Sequence, residues 1–308
     1  MFTAHLTKGR VALAALAVGA VVALAGCSSS DPLAQGTSAA GGETLVVGSQ
    51  DYYSNEILAE IYAQALEGQG YTVQRQLRIG QREIYLPEIE SGAIDVFPEY
   101  DGSLLQALQP DATATTASDV YSALGAALPD GLRALDAAGA SDQNSYTVTR
   151  AYADTWKLTD IASLKNVTEP IVLGGNSELQ TRPYGPQALS SKYGITTTFQ
   201  AIEDSGGSTT VNALTSNQIQ LANIYTADPN IKKNDLVALQ DPDGLFVADN
   251  VVPIVSKKVD DKAAAILDQV SAKLTADDLV ELNSESVNDQ KSAASIAGEW
   301  LKSAGIVS

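Results

Sequence analysis

The chain has 308 residues, a formal net charge of -18, one His and one Cys, which is length for one large or two ordinary domains with a full core. So acidic a body is a poor partner for nucleic acid or an anionic membrane surface. His5 and Cys27 both lie near the N-terminus, so the rest of the chain has no Ser–His or Cys–His nucleophile, no His-containing zinc site and no internal disulfide.

The first element is a targeting signal. Lys8 and Arg10 precede the apolar, small-residue run VALAALAVGAVVALAG, which closes on Leu-Ala-Gly-Cys at residues 24–27. This resembles a bacterial lipobox, so residues 1–26 read as a lipoprotein signal peptide and Cys27 as the lipidated first residue of the mature chain. Several acyl chains on one residue hold a protein stably at a membrane. Loss of Lys8 and Arg10 takes the formal charge to about -20. Residues 27–42, rich in Ser, Gly and Ala, read as a flexible tether.

The body then repeats itself. Thr44 to Ser49 is a β-rich run ending in Gly-Ser, and Ile57, Leu58, Ile61, Tyr62, Ala65 and Leu66 form one helical stripe. Ser54 or Asn55 is placed to cap that helix, with Gly68 and Gly70 ending it. A strand follows through Tyr71, Val73, Leu77 and Ile79, then a helix through Ile84 and Ile89, then the strand AIDVF. The second half has a strand at Pro170 to Gly175, a helix from about Pro183 to Lys192 stopped by Gly194, the strand TTTFQAI, a Gly-rich loop opening a helix, and the strand IQLANIY. Ile89, Ser91, Ile94, Val96 and Tyr100 match Leu214, Ser216, Ile219, Leu221 and Tyr225 at a constant offset of 125. Two similar open α/β lobes are the economical reading.

Ligands of open α/β sheets bind beyond the carboxyl ends of the strands. Tyr100 and Tyr225 occupy such ends, so two facing lobes would present both tyrosines to one cleft. The runs Ser145 to Ala153 and Asn250 to Val259 read as strands that pair as a two-stranded crossover and hinge. A helical tail from about Asp260 returns to the first lobe. These readings give lobe 1 as residues 43–147 plus 254–308 and lobe 2 as 148–253.

LVVGSQDYYSNEILAEIYAQALEGQGYTV, IESGAIDVFPEYDG and ANIYTADPNIKKNDLVALQDPDGLF, with NVVPIVS after them, resemble the osmoprotectant receptors of ABC importers, which take glycine betaine, choline and carnitine. The resemblance covers residues 43–308. It implies a two-lobed α/β fold of the type II periplasmic-binding-protein kind, each lobe an open mixed β-sheet flanked by helices, with the ligand cleft between them. It also implies a monomer that uses no cofactor or metal, delivers a betaine-like zwitterion or cation to the transmembrane subunits of an ABC permease, and catalyses nothing. A quaternary ammonium donates no hydrogen bond and is held against aromatic faces, so Tyr100 and Tyr225 are the implied ammonium contacts. Arg182 is the implied carboxylate partner, or else a surface arginine paired with Glu178. Ser49, Gln50, Asp51, Tyr52 and Tyr53, with Asn144, are expected to line the first-lobe side, and Thr226 to donate a hydrogen bond.

The chain departs from choline-type members where a further aromatic precedes the return strand: here stand Asp249 and Asn250. An aromatic found in some members at the position of Asn144 is also missing. A more polar cage follows, open to another zwitterion, an ergothioneine-like betaine or an uncharged polar solute. Two readings outside the receptor class stand beside it. Glu99 and Asp101, flanking Tyr100, could form the acid–base pair of a cell-wall glycoside hydrolase; a structural adhesin would have no enclosed cleft.

Overall fold

The computed structural model describes residues 44–307; the expected signal peptide, Cys27 and the tether lie outside the described residues. The first half runs β1 (Leu45–Gly48), α1 (Tyr53–Gly68), β2 (Val73–Gln76), α2 (Arg82–Glu90), β3 (Val96–Tyr100), α3 (Asp101–Leu108), α4 (Ala117–Ala127) and β4 (Leu132–Ala134). The second runs β5 (Asn144–Thr149), α5 (Arg150–Trp156), β6 (Ile171–Gly175), α6 (Pro186–Tyr193), β7 (Thr197–Ala201), α7 (Ser208–Thr215), β8 (Leu221–Tyr225), α8 (Asn230–Lys233) and β9 (Leu236–Ala238). The chain closes with β10 (Val251–Ser256), α9 (Asp261–Lys273), α10 (Ala276–Val287) and α11 (Ala293–Ser303).

Two five-stranded sheets result, in the orders β2-β1-β3-β10-β4 and β7-β6-β8-β5-β9. In each, the second strand in the order, β1 or β6, pairs parallel with both neighbours, and the central strand, β3 or β8, takes an antiparallel partner on its other side. The two halves also agree in detail. Val46 N–H donates to the Asp95 carboxylate at 2.9 Å, and Val172 N–H donates to the Gln220 side-chain carbonyl at 3.0 Å. Gly48 lies under Ile94 and Gly174 under Ile219, so close that a Cβ would meet the isoleucine at 3.0 and 2.5 Å. The helix preceding each third strand ends in a left-handed residue, Gly92 in one half and Asn217 in the other.

Pro98 stands inside β3, opposite Pro253 of β10. Neither residue has an amide to give a ladder, and their carbonyls bond elsewhere: Pro98 accepts from the Asn55 side chain and Pro253 from Leu135 N–H. Two facing prolines therefore cost the sheet no unmet donor.

Three sequence expectations are corrected. Neither Ser54 nor Asn55 caps α1; the helix starts at Tyr53 without a side-chain cap. Asn55 is buried in its first turn and reaches back to accept from Gln50 N–H at 2.8 Å, tying the loop ahead of the helix to β3. The helix expected from Pro183 starts at Pro186, with proline in its first turn where no donor is lost. Finally, β5 and β10 do not pair with each other: each enters a different sheet, and the contact near them is an isolated bridge, Ser141 to Asn250. Both strands are almost wholly buried, and interior strands need partners on both sides. The crossing segments are short and lie just ahead of these strands.

The tail does return to the first sheet. Asp260 caps α9 by accepting from Ala263 N–H, and α9 to α11 bury Leu267, Ile296 and Leu301 against the α1 stripe in one core. The core of the second sheet gathers Tyr146, Leu173 and Leu221 with Phe246.

Gly102 opens α3 with its α-carbon against the chain entering β10: a Cβ would lie 2.1 Å from the Ala248 carbonyl oxygen. Gly102→Ala is expected to destabilise the protein by about 1–3 kcal/mol. Gly125→Ala, on α4 with open space around it, is expected to add about 0.5–1 kcal/mol. Denaturant melts of the two variants check both signs.

Candidate ligand-binding site

The carboxyl ends of both sheets face each other across a small cavity of about 50 Å³. That is room for a few water molecules, because aromatic side chains from the two walls meet inside it. Tyr52, at the start of α1, stacks on Tyr225, at the end of β8, with ring centroids 5.4 Å apart and planes 22° from parallel. The Tyr52 hydroxyl donates to the Tyr100 hydroxyl at 2.8 Å. Burial, then Tyr100 and Asp142, push the Tyr52 hydroxyl well above its ordinary range. Burial does the same for Tyr100 and Tyr225, so all three are neutral phenols with electron-rich faces.

The first wall is anchored from behind. Glu99, wholly buried at the penultimate position of β3, accepts from Arg82 Nε and Nη2 at 3.0 and 2.9 Å, from the Tyr85 hydroxyl at 2.6 Å and from Tyr100 N–H at 2.9 Å. Arg82 lies in the first turn of α2, so this fork ties a helix start to the strand end that carries Tyr100. Tyr85 in turn stacks on Phe97 at 4.2 Å.

Six of the ten sequence-predicted ligand residues line the cavity: Gln50, Tyr52, Tyr100, Asn144, Arg182 and Tyr225. Asn144 does so from the second sheet, as the first residue of β5, opposite Tyr225. Arg182 pairs neither with Glu178 nor with a free space; its guanidinium meets Glu83 of the first lobe at 2.7 Å across the cleft. The other four stand outside. Ser49 is turned into the loop, accepting from Arg78 N–H and donating to Gln50 O. Asp51 is exposed. Tyr53 donates to Asp228 of the second lobe at 3.1 Å, a contact between the lobes. Thr226 is exposed, and its hydroxyl accepts from Gln143 N–H.

Sequence reading passed over several lining residues, among them Gln81, Arg82, Ser103, Asp142, Asn176, Tyr184 and Ser205. For some the signal was present in the repeat. Asn176 is the counterpart of Gln50 at offset 126, and the lining residue Gly206 is the counterpart of Gln81 at offset 125. Asp142 sits in an irregular crossing segment with no such mate.

The pair proposed for a hydrolase is not offered to the cleft. Glu99 spends both oxygens on the anchor just described. Asp101 is buried, accepts from the backbone N–H groups of Gly102 and Asn250, and does not line the cavity. Among the described residues no cluster of three metal-ligating side chains forms, and no helix is long and apolar enough to cross a membrane.

Residues 43–303 match the family described as the substrate-binding domain of ABC-type glycine betaine transport systems. The chain belongs to this family. It is similar to the glycine betaine-binding protein YehZ of Escherichia coli, 25% identical with 84% of this chain and 90% of the relative covered. It is equally similar, at 25% identity over 84% of this chain and 88% of the relative, to a glycine-betaine-binding protein of Pseudomonas aeruginosa. In fold it resembles a crystal structure of a glycine betaine/carnitine/choline ABC transporter protein, with TM-score 0.70, 17% identity, and 85% of this chain and 99% of that chain covered. The receptor thus has the type II binding-protein architecture and serves ABC import of betaine-type solutes from outside the cytoplasm.

The anchor behind Tyr100 makes a test of this geometry. Arg82→Met leaves Glu99 buried without its cation and is expected to cost about 3–5 kcal/mol. Urea unfolding measures it; a cost under about 1 kcal/mol would show that the fork does not order the wall.

Proposed function

We propose that the receptor captures a small quaternary-ammonium solute between Tyr52 and Tyr100 of one lobe and Tyr225 of the other, then hands it to the transmembrane subunits of an ABC permease. The observation that carries this is the stacked pair Tyr52–Tyr225, which joins the two walls at one point. A diffuse cation entering there meets ring faces from both sides, so binding favours a closed arrangement of the lobes over an open one. The walls must part to admit it, because the tyrosines now occupy the space. Contacts that bridge the lobes, Tyr53 to Asp228 and the Asn283 side chain to Ala227 O at 3.1 Å, would break on opening and re-form on closure. Gln50 and Asn144 supply hydrogen bonds to the polar part of the solute, while Arg182 is held by Glu83 in the closed arrangement.

The receptor acts as a monomer held to the membrane by lipid on Cys27, with residues 27–42 as the tether and one lobe on each sheet. The expected boundaries at 147/148 and 253/254 shift to just ahead of β5 and β10, since each strand belongs whole to one sheet. It binds without turnover, since the carboxylates a hydrolase would use are committed elsewhere.

Calorimetric titration of the purified protein with glycine betaine, choline, carnitine and proline betaine is expected to show binding of one or more of them. Tyr52→Ala and Tyr225→Ala should each weaken it by about tenfold, the worth of one desolvated cation–π contact. Silence from all four, or tyrosine variants that bind like wild type, would overturn the reading.

A further inference from the structure

The charges that line the cleft do not balance. Arg82 and Arg182 face it, but each is already engaged by a carboxylate, Glu99 and Glu83. Asp142 and Asp249, both nearly inaccessible, have no cation of their own. Among the described residues Asp142 accepts only from Ala227 N–H at 2.8 Å, which leaves its other oxygen free. Asp249 accepts from the N–H and hydroxyl of Ser103. Glu178, also in the wall, has one carboxylate oxygen buried with no partner. The cavity therefore presents unneutralised carboxylates and no unneutralised cation.

Resting on the ammonium reading above, we propose that Asp142, backed by Asp249, selects ligands of net positive charge, so that the site takes a hydroxyl-bearing ammonium of choline type in preference to a zwitterionic betaine. A betaine would bring its own carboxylate into a field of carboxylates while both guanidiniums are spent. A cation with an uncharged tail offsets the buried negative charge and asks nothing of either arginine. The position of Asp142 suits this: it makes itself felt at Tyr52, Tyr53, Tyr100 and Tyr225 alike, so its charge adds to the attraction of the ring faces. Asp249 occupies the place just ahead of β10, on the Tyr100 side of the cavity.

Proton binding supports the same picture. Burial, countered by Ala227 N–H and reinforced by Asp228, pushes the Asp142 carboxyl up to about 7. The groups facing it are Tyr52 and Tyr53 from the start of α1, Tyr100 from β3, and Tyr225 and Asp228 from the end of β8. Burial likewise pushes Asp249 up to about 7 against the Ser103 donors, with Asp101 raising it and Arg82 lowering it. A bound cation favours the ionised form of both, so capture from acid solution releases protons and weakens as pH falls below neutral. For folding the sign is opposite. Native Asp142 holds its proton to higher pH than the unfolded chain does, so the stability it contributes is fully present below the ordinary carboxyl range and is lost progressively until pH reaches about 7.

The test is calorimetry of the purified protein with choline and with glycine betaine at about pH 8 and about pH 5.5. Choline is expected to bind about tenfold or more tightly than glycine betaine at the higher pH, and to lose several-fold at the lower. Asp142→Asn keeps a carbonyl oxygen for Ala227 N–H. It should weaken choline by about tenfold or more and leave glycine betaine unchanged or improved. Ligand-free melting supplies a readout of folding: this variant should melt above wild type at about pH 8, by less at about pH 5.5, and level with it below about pH 4. Asp249→Asn should shift choline in the same direction. Glycine betaine binding as tightly as choline, or Asp142→Asn weakening both ligands equally, would overturn charge selection while leaving the ammonium reading standing. No binding of either ligand at either pH would bring down the ammonium reading and this inference with it.

Discussion

One buried carboxylate holds the first wall of the cleft in place. Glu99 collects the Arg82 fork, the Tyr85 hydroxyl and the Tyr100 amide, so a helix start, a core aromatic and the strand-end tyrosine share one acceptor. A fully satisfied buried ion pair of this kind contributes little net stability against an apolar substitute. What it gives is direction: with four hydrogen bonds converging on two oxygens, the end of β3 is held in one orientation, and Tyr100 points where Tyr52 can reach it.

The second wall solves the same problem without charge. At offset 125, Glu99 corresponds to Ile224, which is wholly buried in an apolar cluster with Ile202, Leu214 and Ile219. Tyr225 is then positioned by the pairing of β8 with β5, which sets it opposite Asn144, and by the ring of Tyr52. The two tyrosines are thus equivalent by descent from one pattern but differently held. Tyr100 is fixed from within its own lobe, whereas Tyr225 has part of its support in the other.

Much of the fold was legible because a repeat reports itself twice. The offset-125 series placed α2, β3, α7 and β8 correctly, and the strand-end rule then brought Tyr100 and Tyr225 to one cavity. Errors gathered where local pattern gives no account of distant partners. Asn55 reads as a cap, since its side chain suits one, but Gln50 N–H and Pro98 O compete for it and win. The runs at 145 and 250 read as mates because each is strongly β-forming; only burial on both faces decides that each belongs to a different sheet. Arg182 reads as free or as paired locally with Glu178, because Glu83 is 99 residues away in sequence and comes close only when the lobes meet. Asp142 could not have been found, lying in an irregular segment where neither periodicity nor repeat marks it.

The insertion of β10 between β3 and β4 reaches into how the protein is made. β4 pairs with β10 alone, so the first sheet stays unfinished, with β3 bare along one edge, until residues 251–256 have been synthesised. Some 120 residues separate β4 from its neighbour in the sheet. Contacts so distant in sequence form late and slowly. The second sheet, by contrast, draws all five of its strands from residues 144–238 and has its full set before β10 exists. The order of the strands thus sets an order of completion along the chain, the second sheet ahead of the first.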